Sequence, residues 1–250
     1  MPLIEKLRIA RGVARSLRIY YGNKSRRRDM DLLYAQFVRP GDLAFDVGAH
    51  VGDRVAAFRR LRASVIAVEP QPALIRALRY LHGRDEGVII EPVAIGATQG
   101  SVRLSLNLDN PTVSTASDAF TAAAGHAKGW EGQVWSKVID VPMTTLDALI
   151  ERHGVPAFIK IDVEGFEAEA LAGLTKPVPA LSFEFTTMQR EVALACLQRC
   201  GRLGYRHFNA ALGESQTLTH AAWQTRDAIR SWLRDLPDEA NSGDVYARLA

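Results

Sequence analysis

Two spacings of apolar residues divide this chain near residue 40. Between residues 3 and 21, Leu3, Leu7, Ala10, Ala14, Leu17 and Tyr21 recur three or four positions apart, with arginines on the other faces. That period predicts an amphipathic helix. Such a helix can pack on its own domain, cover a substrate, or touch an anionic membrane or nucleic acid. A second helix is predicted over 29–38, stopped by Pro40-Gly41. Beyond residue 41 the pattern becomes short apolar runs, at 43–47, 65–68, 88–95, 158–163, 181–185, 205–210 and 245–249. Most are rich in β-branched or aromatic residues and bounded by Gly, Pro or Asp, as buried parallel strands are. Helical periods at 54–61, 72–81, 145–153, 168–174 and 188–203 separate several of them. This alternation predicts βαβ units, hence a doubly wound α/β domain over 41–250 behind an N-terminal helical extension over 1–40. Residues 97–142 break the rhythm. Strands are predicted near 102–106 and 138–141, and the polar, small-residue stretch 107–132 between them is expected to be a substrate-facing loop.

Composition narrows the class. With 47% hydrophobic and 24% charged residues the chain is expected to fold throughout. No apolar run reaches the length of a membrane span, and the charged N-terminus lacks the apolar stretch of a secretory signal, so the chain reads as cytoplasmic. Charge is uneven. Before Asp29 stand Lys6, Arg8, Arg11, Arg15, Arg18, Lys24, Arg26, Arg27 and Arg28 against Glu5 alone, yet the formal net charge of the whole chain is only +3. The remainder is therefore acidic. The two cysteines, Cys196 and Cys200, lie four apart on one face of a predicted helix and read as buried thiols.

Three stretches carry candidate chemistry. The first is Asp46-Val47-Gly48-Ala49-His50-Val51-Gly52-Asp53, between a strand and a helix. Its glycines permit a sharp turn and close approach of a ligand, beside the unpaired N–H groups of the helix start. It lacks the middle glycine of a dinucleotide loop. A cofactor without a phosphate chain, bearing an amine and a carboxylate, fits better. The second is Glu69, which ends the next strand before Pro70, where an acid can accept hydrogen bonds from two ribose hydroxyls. The third is Phe158-Ile159-Lys160-Ile161-Asp162-Val163-Glu164-Gly165. Alternation puts Lys160, Asp162 and Glu164 on one side of a strand. A lysine inside a central strand needs a partner, and Glu184 in the next apolar run is the expected one.

Together with Val68-Glu-Pro-Gln-Pro72, Val93-Ala-Ile-Gly96 and Thr145-Leu-Asp-Ala-Leu149, these blocks resemble FkbM-type methyltransferases in order and spacing. The resemblance runs from about Gly41 to Phe185 and resumes at Gly243-Asp-Val-Tyr-Ala247. It implies a mainly parallel, seven-stranded class I methyltransferase (Rossmann-like) sheet, S-adenosylmethionine as methyl donor, and a hydroxyl on a sugar, glycan or polyketide-type product as acceptor. Asp46, Gly48, His50, Gly52, Glu69 and Asp162 are then expected to hold the cofactor. Asp162 and Glu164 are expected to serve catalysis, as base or in orienting the sulfonium. His50, where the family usually carries Asn, either donates at the loop or acts as a base on the acceptor. No metal ligand set is assigned, although Asp162 and Glu164 together offer one alternative. Nucleic-acid methylation is disfavoured, because the basic helix has no aromatic interleaving. A non-enzymatic binding domain is the remaining alternative.

Overall fold

The computed structural model describes residues 3–249. Its elements are, in order, α1 (Leu3–Tyr21), α2 (Lys24–Tyr34), β1 (Leu43–Val47), α3 (Asp53–Arg60), β2 (Ser64–Val68), α4 (Pro72–His82), β3 (Val88–Glu91), β4 (Ala94–Ile95), β5 (Gly100–Leu106), α5 (Asp118–Ala124) and β6 (Lys137–Thr144). They continue with α6 (Leu146–His153), β7 (Phe158–Ile161), α7 (Glu167–Ala172), β8 (Ala180–Thr186), α8 (Arg190–Leu203), β9 (His207–Leu212), α9 (Arg226–Asp235) and β10 (Ser242–Arg248). Seven strands form one sheet in the order β3-β2-β1-β7-β8-β10-β9. The pairs from β3 to β8 are parallel, and β10 runs antiparallel between β8 and β9. This is the mainly parallel, doubly wound sheet that the apolar runs predict.

Both faces of the sheet are covered, which is why its strands are apolar at nearly every position. On one face Phe45, Val47, Ile159, Ile161, Leu181 and Phe183 pack with residues of α6, α7, α8 and α9. On the other, Ala44, Val65, Ala67 and Phe158 meet Phe58 of α3 and Met30, Leu33 and Tyr34 of α2. Burial of those three α2 side chains contributes on the order of 5 kcal/mol, enough to hold α2 firmly on the sheet. Cys196 and Cys200 are free and buried in the first of these cores.

Three expectations change. The run over 88–95 is two strands: after Glu91-Pro92 the chain leaves the main sheet, and β4 joins β5 and β6 in a small three-stranded sheet. The 107–132 stretch holds a 3-10 turn at Pro111–Val113 as well as α5. And α1 turns a different face to the protein. Leu3 and Leu7 are 73% and 55% exposed, and Ala10 and Ala14 are exposed as well, whereas Gly12 and Ser16 are buried. Small residues win here because backbone has to approach backbone. A Cβ on Gly12 would come within 2.7 Å of the Leu108 carbonyl oxygen. No described helix is long and apolar enough to cross a membrane.

Candidate active site

Strand order reverses between β1 and β7, and the carboxyl ends of β1, β2, β7 and β8 open there onto one cleft, as expected at a switch point in such sheets. The cleft encloses about 890 Å³, counting space open to solvent. Gly48, His50, Glu69, Asp162, Glu164 and Glu184 all line it.

The loop after β1 turns at Gly48, whose φ of +83° favours glycine. A side chain there would overlap the carbonyl of Asp162, so this glycine lets the β1 and β7 exits touch. The N–H groups of Gly48 and Ala49 both donate to the Val68 carbonyl, at 2.9 Å each. Gly52 faces away from the cleft: a Cβ would meet Leu78 and His82 of α4 at 2.7 and 2.8 Å. Asp46 lies beneath the loop, 1% exposed, and neither of its oxygens receives a donor. Burial pushes its carboxyl up to about 7. Asp46 and Gly52 therefore shape the loop from behind, while Gly48, His50 and Glu69 form the wall.

Glu69 binds the two exits together. Its Oε2 accepts from the His50 N–H at 3.0 Å and its Oε1 from the Gln71 N–H at 2.8 Å. Each oxygen keeps a lone pair for a further donor. The residue is 2% exposed, and burial outweighs the two backbone bonds to push its carboxyl up to about 8. His50 stands at φ +50°, with its ring edge-on to Tyr20 at 5.2 Å and Nε2 3.4 Å from Thr112 Oγ1. Burial lowers its pKa to about 4, so the ring is neutral at pH 7.

The β7 exit carries the carboxylates. The predicted Lys160–Glu184 pair does not form. Lys160, fully buried, donates to Asp244 Oδ1 at 2.5 Å and to Asp162 Oδ2 at 3.2 Å. Register explains the change: Ser182, not Glu184, lies opposite Lys160 on β8, and Tyr246 opposite Ser182 on β10. The long ammonium chain passes the small serine and ends at Asp244, two strands away. Burial favours neutral Asp162, yet the Lys160 ammonium and the Arg54 guanidinium, 3.8 Å off, overcome it and hold the group at about 2. Glu164 sits at φ +53° and is 7% exposed. Its carbonyl accepts from Thr115 Oγ1 at 2.6 Å, and the Glu167 carboxylate takes the N–H groups of Val163 and Gly165, which fixes the turn. Burial, with Asp162 next to it, pushes the Glu164 carboxyl well above the ordinary range. Glu184 of β8 is raised for the same reasons. One oxygen from each of Asp162, Glu164 and Glu184 lies within 4.8 Å of the others.

Tyr20, Arg54 and Glu214 join the site without having been singled out, and Glu184, expected there only as the partner of Lys160, lines the cleft instead. Tyr20 brings the last turn of α1 to the cleft, and Arg26 of α2 ties Asp53 and Glu214 together at 2.7 Å each. No local sequence signal marks Glu214, which arrives from the loop after β9.

The methyltransferase FkbM domain model matches residues 46–236, most of the chain. The chain belongs to the FkbM methyltransferase family. The hexuronic acid methyltransferase AglP of Haloferax volcanii is 27% identical over 157 residues, covering 62% of this chain. The match spans 59% of that relative's length. Among solved structures, a TehB-like S-adenosylmethionine-dependent methyltransferase from Corynebacterium glutamicum superposes with a TM-score of 0.44 at 10% identity, covering 88% of this chain and 86% of that one. A precorrin-6Y C5,15-methyltransferase from Geobacter metallireducens gives 0.43 at 10% identity, covering 88% and 87%. The cofactor of the FkbM family is S-adenosylmethionine. The loop also explains why a histidine is tolerated at position 50: a residue at φ +50° is left-handed, and His is among the side chains that adopt it.

Proposed function

We propose that this FkbM-family chain transfers a methyl group from S-adenosylmethionine to a hydroxyl of a sugar, glycan or polyketide-type product. One observation carries the reading: the buried acceptor Glu69 and the carboxylates of the β7 exit face the same cleft. Glu69, with a lone pair free on each oxygen, would take the two ribose hydroxyls. Val93, Ile95 and Leu104 offer an apolar wall for a flat base. Asp162, held ionised by Lys160 and Arg54, would face the positive sulfonium.

The bound cofactor supplies an activated methyl group and its own leaving group. The protein's part is to align the acceptor oxygen, exclude water and take up a proton. Tyr20, His50 and Thr112 wall the cleft on the α1 side and limit water. Asp162 at a pKa of about 2 is a weak base, so it positions more than it deprotonates. Glu164, whose carboxyl is pushed upward, is the better proton acceptor once a cation lies beside it. Neutral His50 would pack against the ligand.

The hexuronic acid in the relative's name makes methyl hexuronides and hexuronate-containing oligosaccharides the first acceptors to try. Mass spectrometry of the product should show an added O-methyl group. Asp162→Asn is expected to lower turnover by roughly 100-fold or more while S-adenosylhomocysteine still binds. Full turnover in that variant would remove Asp162 from the mechanism.

A further inference from the structure

We propose that Asp162, Glu164 and Glu184 form a binding site for one oxygen-ligated divalent cation on the floor of the cleft. Three carboxylates lie at the ends of two adjacent strands, with one oxygen of each inside a 4.8 Å span. Ligand oxygens bound to one Ca²⁺ at about 2.4 Å lie no more than about 4.8 Å apart, so this spacing is compatible with one ion drawing the three acids together. Cations of the protein do not balance it. Lys160 is engaged with Asp162 and Asp244, and Arg54 stands between Asp162, Asp53 and Glu214 at 3.8, 3.7 and 3.5 Å. Among the described residues, Glu164 and Glu184 have no ion pair.

A second observation is independent of the clustering. Glu164 is more than nine-tenths buried and lines the cleft, yet no N–H or O–H donor reaches its carboxylate among the described residues. Glu184 Oε2 is sealed from solvent with no donor. Buried carboxylate oxygens without donors are costly, and a bound cation is the standard way to satisfy them. The left-handed backbone at Glu164, clamped by Thr115 and Glu167, aims this acid at the other two. The donor set is oxygen alone, without sulfur or imidazole, which selects Mg²⁺, Ca²⁺ or Mn²⁺ over zinc or copper.

The site is a property of the free protein. Its use in catalysis rests on the proposed methyl transfer: a bound ion would ligate the acceptor hydroxyl and favour its ionisation, the proton leaving to solvent.

The test uses the full chain, stripped with EDTA and titrated calorimetrically with MgCl2, CaCl2 and MnCl2. One equivalent of at least one ion should bind, with a dissociation constant below about 1 mM. Glu164→Gln and Glu184→Gln should each weaken binding at least tenfold, with S-adenosylhomocysteine binding and Tm as controls for folding. Asp118→Asn, at an exposed position outside the cleft, should change nothing. Should either Gln variant misfold, an electron paramagnetic resonance titration of the unaltered protein with Mn²⁺ counts the site directly. No binding of any of the three ions at 5-fold above that constant overturns the proposal, as does binding that survives both substitutions. Failure to bind S-adenosylhomocysteine would instead strike the methyltransferase reading and leave the ion site standing.

Discussion

At the scale of single residues, position 69 decides how cofactor binding responds to pH. Its carboxyl is pushed up to about 8 by burial, so near pH 6.5 the free protein holds it protonated. Ribose hydroxyls donate best to the ionised form. Affinity for S-adenosylhomocysteine should therefore rise between pH 6.5 and 8.5 and level off above, by up to ~10-fold per unit if this group alone is linked. Glu69→Gln should flatten that profile and lower affinity at pH 8.5 by roughly 10- to 100-fold, the cost of losing a charge-assisted acceptor. A profile with the same slope in the variant would assign the linkage elsewhere. Position 50 carries a second prediction. His50→Asn keeps a residue tolerant of φ +50°, whereas His50→Val places a β-branched side chain there and should cost about 1–2 kcal/mol in urea unfolding. Glu69 was legible as a candidate, because it stands at the exit of an apolar strand. Its pKa was not, since burial is a property of the whole packing.

Among the elements, β7 shows why some contacts can be read from sequence and others cannot. Its apolar residues and the need of Lys160 for a carboxylate are local facts. The identity of that carboxylate depends on β10 inserting beside β8, 84 residues later, which no spacing announces. Lys160→Met should destabilise the domain by about 3 kcal/mol at pH 8, because Asp162 and Asp244 lose their buried partner. The loss should shrink as pH falls, when both carboxyls can take up protons. A pH-independent loss would point to packing alone. The helix α1 misleads in another way. Its long aliphatics set the visible period, but Gly12 and Ser16 face the protein because only small residues allow so close an approach. Gly12→Val should therefore lift α1 from the Leu108–Pro111 segment, costing roughly 1–3 kcal/mol and loosening Tyr20 over the cleft. The break at Glu91-Pro92 was visible as a proline, which ends hydrogen bonding in a sheet, yet the flanking apolar residues disguised it.

Over the whole molecule, doubly wound topology was readable because strands buried on both faces need unbroken apolar runs, and because the intervening helices carry a different period. The site's charge balance was not readable, since it is set where four strand ends and the β9 loop converge. That balance has a measurable consequence. Burial raises the carboxyls of Asp46, Glu69 and Glu167 to about 7, 8 and 7. Groups raised on folding stabilise the protein fully below their unfolded values near 4, and that contribution is lost as pH climbs through 7 to 8. His50, lowered by burial to about 4, and His82, also lowered by burial, act oppositely but mostly below about pH 7, since an unfolded histidine is half charged at about 6.5. Between pH 6.5 and 9 the raised carboxyls outweigh the histidines, so Tm should fall by at least about 3 °C, the shift that ~1 kcal/mol produces in a chain of this size. A Tm that is flat or rises over that window would contradict the assigned burial. The most direct trial of the central claim is calorimetry of the full chain with S-adenosylhomocysteine at pH 8.5, beside NAD and the Glu69→Gln variant. One equivalent of S-adenosylhomocysteine should bind, more weakly in the variant, and NAD should give no heat of binding. Binding of NAD in its place, or no binding of S-adenosylhomocysteine by the folded protein, would contradict the account.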